Sequence, residues 1–336
     1  MLVKDQIMKR EDNSSFDRNT AGVATFLVSD WRYGAKLLPD DTVDQVGYGT
    51  EAASRCLSRY FKEGDALLRG TAGGKAFDGC VVAFAGGMVD TRGSVGGAAS
   101  QALCAEAAGL VLSQLIRLLE IYGDVYVPCL IASAGTSKKA STGATQRLMM
   151  GNADVVFYEA LKTLAAPYVG IDIDVSHSIH QWDIYDNPFV MAGAIRIQED
   201  APHSANWALS SAAELRADFI ADMESYRPKN ELDRTTLFMG QAGFSLCGLD
   251  QGVIGNKPMT GELNPSAVKQ FSIASPCWHV CATLPGIGIT GLYRVYGVDP
   301  MPEDAQSILE RPPISRGKTF RAQTAPASNV VVGLFM

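Results

Sequence analysis

The chain has 336 residues, 47% of them hydrophobic and only 19% charged, with 33 glycines and 15 prolines. It is therefore no disordered chain, and it has the apolar content for one large core or two modest ones. Its 29 Lys and Arg against 36 Asp and Glu give a formal charge of -7 with no basic cluster, which argues against nucleic acid as a partner.

Residues 1–20 carry Lys4, Lys9, Arg10, Glu11, Asp12, Asn13, Ser14 and Ser15. They supply too little apolar surface to offset ordering entropy and read as an N-terminal arm. The arm lacks the apolar stretch of about 7–15 residues that marks a secretory signal. The longest apolar runs, such as 125–134, reach about half of the roughly twenty residues a bilayer requires, so no membrane span is expected.

From residue 21 the chain alternates. Short apolar runs with the length and punctuation of buried strands cover 21–28, ending in Ser29 and Asp30, and 80–85, ending in Gly86 and Gly87. Further runs cover 126–132, 168–175 and 235–239. Between them, Leu103, Ala107, Leu110, Val111 and Leu118 share a helical stripe, as do Phe157, Leu161, Leu164 and Ala165, and Ala212, Leu215, Phe219, Ile220 and Met223. Ser211 and Glu214 have capping-box spacing at the start of the last of these. Residues 248–261 and 300–313 are rich in turn formers and read as loops, and 319–323 and 329–335 resemble two short strands. The division expected is an arm (1–20), one α/β domain (21–313) and a β tail (314–336).

Strands that are apolar throughout and alternate with helices imply a parallel sheet of about five strands, covered on both faces as a three-layer α/β/α sandwich. Right-handed crossovers then align the strand ends along one edge, where ligands bind in open α/β sheets. That edge holds Ser29 and Asp30, Gly86 and Gly87, residues 133–136, 174–177 and 240–243.

A hydrolase there needs a nucleophile, a base and an oxyanion hole. The histidines are only His177, His180, His203 and His279. His177 and His180 lie near Asp172, Asp174, Asp183 and Asp186, donors that suit a divalent metal, but solvated loop residues show the same spacing and no metal is expected. Ser133, Gly135 and Thr136 form a small-residue turn able to present N–H groups to an anion, followed by Lys138 and Lys139, though without P-loop spacing. Trp31, Tyr33, Trp182, Tyr185, Trp207, Trp278 and Tyr293 fall at or near predicted loops, where aromatic faces suit a sugar, although scattered aromatics are more often packing residues. The seven cysteines read as reduced core thiols made in a reducing cytoplasm. Cys277, His279 and Cys281 lack the second pair that a zinc site needs and read as buried residues around Trp278.

Taken in order, these features resemble the SGNH (GDSL-type) hydrolase domains, particularly the sialate-acetylesterase-like branch in bacteriophage tail and fibre proteins. The segment Phe26-Leu27-Val28-Ser29-Asp30-Trp31 stands where that family carries its Gly-Gln-Ser nucleophile segment. Val82-Ala83-Phe84-Ala85-Gly86-Gly87 matches the strand ending in a Gly-Gly pair, and Leu130-Ile131-Ala132-Ser133-Ala134-Gly135-Thr136 the small-residue turn before a helix starting near Asn152. The strand before Gln241 follows, and Tyr293 to Asp299 takes the place of the Asp-x-x-His loop. The motifs themselves depart: Asp30 stands at the nucleophile position with Ser29 one place early, and Pro302 stands where the base belongs. A proline has no side-chain base.

The resemblance thus implies a catalytically inactive SGNH-like domain in a virion protein of the tail, a fibre or a head appendage, made in the host cytoplasm. Its implied partners are other virion subunits in a homo-oligomer and a cell-surface glycan, with ligand contacts at Gly86, Gly87, Ser133, Gly135, Thr136, Asp174 and Gln241. No cofactor is implied. The alternative is an active carbohydrate O-acetylesterase, with Ser29 or Ser133 as nucleophile (or Asp30 in its place), His177 or His180 as base and Asp174 or Asp299 orienting it; His279 is the remaining imidazole. A third reading is an unrelated α/β protein holding a small anion at residues 133–139.

Overall fold

The computed structural model describes residues 20–42, 47–91, 97–131 and 152–176, with the strands at 179–184, 187–192, 236–239, 247–248, 253–255, 277–284, 288–296 and 332–333. The chain is α/β. Strand β1 (Val23–Val28) leads to helix α1 (Thr50–Thr71), β2 (Gly79–Phe84), α2 (Gly97–Tyr122), β3 (Val125–Leu130), α3 (Ala153–Ala165) and β4 (Ile171–Ser176). Strands β5 (Ile179–Ile184), β6 (Asn187–Ala192), β7 (Thr236–Met239), β8 (Cys247–Gly248) and β9 (Val253–Gly255) follow. Then come β10 (Cys277–Leu284), β11 (Gly288–Tyr296) and the two-residue β12 (Val332–Gly333).

The main sheet runs β12-β11-β10-β1-β2-β3-β4. Strands β1 to β4 are parallel neighbours in chain order, but β10 pairs antiparallel with β1, and β11 with β10. The sheet is therefore mixed, and the expected all-parallel arrangement is corrected. Its fifth predicted strand, at 235–239, is real but belongs to a second sheet, β5-β6-β7-β9-β8, because β7 pairs with β6 and β9. Within the tail, Val332 pairs with Tyr293 on the edge of the main sheet.

Each step from β1 to β4 moves one strand in the same direction, and right-handed crossovers of constant direction place their helices on one face. The packing agrees. Phe26 and Val28 of β1, Val82 and Phe84 of β2, Val127 of β3 and Trp278 and Val280 of β10 share one core with Leu57 and Phe61 of α1, Val111 and Leu115 of α2 and Phe157 and Leu161 of α3. Residues of opposite parity, among them Val23, Leu27, Val81, Ala83, Tyr126, Leu130 and Cys281, form a second buried layer on the other face. Among the described residues, no helix covers that face.

Helix α1 was not among the predicted elements. Its buried stripe of Ala53, Leu57, Tyr60, Phe61, Gly64 and Leu68 is interrupted in sequence by Arg55, Arg59, Lys62 and Glu63, which face outward. Helix α2 is long and apolar enough to cross a membrane, with a hydropathy of 1.6 over its most apolar window. A core helix meets the same measure, and Cys104, Ala107, Val111, Leu115 and Leu118 of α2 are buried against the sheet and α3.

Below the sheet, Asp65 joins α1 to α2. Its carboxylate, 3% exposed, accepts from Arg69 Nε at 2.8 Å and Nη2 at 2.6 Å and from the Tyr122 hydroxyl at 2.9 Å, with Arg117 at 3.7 Å. Asp65→Ala would strand the buried Tyr122 hydroxyl, whereas the more exposed Arg69 can return to water. The expected loss is about 2–3 kcal/mol, read as a fall in urea midpoint; Tyr122→Phe should cost about 1 kcal/mol.

Candidate functional site

Pairing between β1 and β2 continues past both strands. Asp30 N–H donates to Gly86 O and Arg32 N–H to Gly87 O, each at 2.9 Å, and Tyr33 N–H to Met88 O at 2.9 Å. The two segments stay together while the backbone turns left-handed at Asp30 (φ 50), Arg32 (φ 49), Gly34 (φ 95), Gly86 (φ 84) and Gly87 (φ 70). Left-handed backbone at a non-glycine residue stores strain and concentrates at functional sites. Here it lies at the strand edge where the sequence places Ser29, Asp30, Gly86 and Gly87.

The two candidate nucleophiles that follow β1 are buried. Ser29 is 0% and Asp30 7% exposed. Arg32 pairs with Asp90 at 3.3 Å. The flanking aromatics are structural: Trp31 Nε1 donates to Ala53 O at 2.9 Å, the Tyr48 hydroxyl donates to Trp31 O, and the Tyr33 hydroxyl donates to Glu106 Oε1 at 2.6 Å. Burial, then the Glu106 carboxylate, pushes the Tyr33 phenol up to about 12. Trp278 and Tyr293 lie in β10 and β11 rather than in loops, and with Trp31 and Tyr33 they are buried, so these four offer no open face to a sugar.

The donors at the end of β2 are taken from within. Gly87 N–H donates to Asp154 Oδ2 at 2.9 Å and Met88 N–H to Oδ1 at 2.8 Å. Asp154 is 3% exposed and stands in the first turn of α3. Asn152 caps that turn, its side-chain oxygen accepting from Asp154 N–H at 2.9 Å. Two backbone N–H groups converging on one anion form an oxyanion-type arrangement.

No protein-family model matches the sequence, and no curated protein matches it.

Across the seam, His279 of β10 lies opposite Leu27 of β1. That pair is the last of the β1–β10 ladder, and Ser29 lies two residues beyond it. His279 is 2% exposed. On the opposite side, the Tyr60 hydroxyl shares its proton between His279 O at 2.7 Å and Leu27 O at 3.0 Å, tying α1 to the seam. Cys277 and Cys281 flank His279 on its face of the strand. The described residues contain no metal-binding group of three or more His, Cys, Asp or Glu. Burial pushes the Cys281 thiol up to about 12 and the Cys104 thiol to about 11.

Asp174 is not brought to Ser29. It lies in β4, three strand spacings (about 14 Å) from β1, and accepts from the Tyr126 hydroxyl at 3.4 Å. His180 falls in β5 of the second sheet. Ser133, Gly135, Thr136, His177, Gln241 and Asp299 lie outside the described residues, as do the 1–19 part of the arm, His203 and the helix expected at 212–226. Asp154 was missed as a site residue. An acid two places after a cap is an ordinary helix-start signal, and only the fold brings it to Gly87, 67 residues away.

Proposed function

We propose that the chain is a structural or appendage protein of a virion, built on an SGNH-like α/β scaffold whose hydrolytic site is closed. The observations that carry the closed-site reading are the Asp154 carboxylate on the Gly87 and Met88 N–H groups and the full burial of Ser29. An acyl-transfer site needs those donors free and its nucleophile reachable. Support for the scaffold and the virion is the order of features along the sequence. On this reading the sheet is covered on both faces as a three-layer sandwich. The partners are other virion subunits, copies of the chain itself and a cell-surface glycan; the site of action is the virion.

Two experiments test it. The purified chain should turn over neither p-nitrophenyl acetate nor an O-acetylated sialoside faster than its Ser29→Ala variant does. An antibody to the chain should label purified phage particles; unlabelled particles would sink the virion reading.

The second reading, an active carbohydrate O-acetylesterase, draws on one observation: His279 pairs with Leu27, two residues before Ser29, at the β1–β10 seam. It requires saturable ester turnover that both Ser29→Ala and His279→Ala abolish.

A further inference from the structure

The turn after β2 has the construction of an anion site and already holds an anion. Gly86 and Gly87 are consecutive left-handed residues, a conformation glycine adopts without a Cβ penalty. It aims the next two N–H groups at separate oxygens of one carboxylate, at 2.9 and 2.8 Å. The amino end of the 13-residue α3 adds favourable potential, and the Asn152 cap fixes the turn from which Asp154 projects. From Gly79 to Asp90 every residue is buried except Gly87, so the turn meets solvent at the residue that supplies a donor.

We propose that the Gly86–Met88 turn is a monocarboxylate-binding site whose resident ligand is the chain's own Asp154, an autoinhibitory contact that keeps external carboxylates out. The contact is intramolecular, so the tethered carboxylate outcompetes free anions at ordinary concentrations. Removal of that side chain leaves the Gly87 and Met88 N–H donors without the carboxylate that accepts from them. The inference deepens the closed-site reading above. Its readout is anion-dependent stability rather than ester turnover, so either can fail without the other.

The test uses the full chain and its Asp154→Ala and Asp154→Asn variants. Thermal unfolding is followed in sodium formate and in sodium chloride at equal ionic strength. Asp154→Ala should melt below the parent protein, and formate should raise its midpoint saturably by about 2–4 °C over chloride. The parent, with its site filled, and Asp154→Asn, whose amide fills the same space, should show no such difference. An equal response of Asp154→Ala to both salts overturns the proposal, and so does a formate response of the same size in the parent. Should Asp154→Ala be recovered only unfolded, its refolding yield from urea gives the same answer: at least a twofold gain in formate over chloride supports the site, and equal yields overturn it.

Discussion

Gly22→Ala is expected to cost roughly 3–5 kcal/mol, from backbone strain and a steric collision together. Gly22 has φ 88, and a Cβ there would stand 1.9 Å from the carbonyl oxygen of Thr283 and 2.8 Å from its carbon. Backbone cannot swing aside as a side chain does. Val23 pairs with Thr283 in the next step of the chain, so relief requires β10 to leave β1. A urea titration followed by the fluorescence of the buried Trp31 and Trp278 should show a large drop in midpoint. Gly74→Ala separates the two causes. Gly74 has φ 82 and open space where its Cβ would go, so it should lose only about 1 kcal/mol, the strain alone. Equal losses at the two positions would show that the predicted collision at Thr283 does not occur.

Raising the pH should unfold the protein abruptly. The phenols of Tyr48, Tyr60 and Tyr158 are held well above their ordinary value of 10.0 by burial. Those of Tyr122 and Tyr126 are also raised, by burial first and then by neighbouring acidic groups, and Tyr33 is raised to about 12. Below pH 10 both folded and unfolded chains keep these phenols protonated, and their contribution to stability is whole. Above pH 10 the unfolded chain loses protons that the folded chain retains. Each phenol then removes about 1.4 kcal/mol per pH unit until its folded value is reached. Acting together they should exhaust a typical stability of about 5–15 kcal/mol within one to two units. Tyrosinate absorbance and near-ultraviolet circular dichroism should change in one shared step. A gradual rise in absorbance from pH 9.5, with the dichroism intact, would show that these rings are open to water.

The alternation of strand and helix was legible because β1 to β3 are buried on both faces and read as unbroken apolar runs. The stripes of α2 and α3 were legible for the corresponding reason, one apolar side at helical spacing. What escaped depends on contacts distant in sequence. Nothing local distinguishes β7, which joins the second sheet, from β3, which joins the first. The antiparallel entry of β10 beside β1 is likewise a pairing choice, and it brings the amino end of β10 to the edge expected to hold only strand carboxyl ends. At the candidate site, the strand-end positions of Ser29, Asp30, Gly86 and Gly87 followed from the apolar runs before them. Their burial, and the occupation of the Gly87 and Met88 donors by Asp154, did not, because each depends on a third segment closing over the turn.

The seam that Tyr60 fastens has a consequence for biosynthesis. Its hydroxyl bonds to His279 O, 219 residues further along the chain. At translation rates of about 5–20 residues per second, roughly 10–45 s separate the making of the two. Throughout that interval β1 can pair with β2 while its other flank offers unsatisfied backbone groups, the kind of surface that invites association with neighbouring nascent chains. Closure of the sheet beside its oldest strand must await one of its youngest. Ribosome-bound fragments ending before residue 277 should therefore depend on chaperones more than the released chain does.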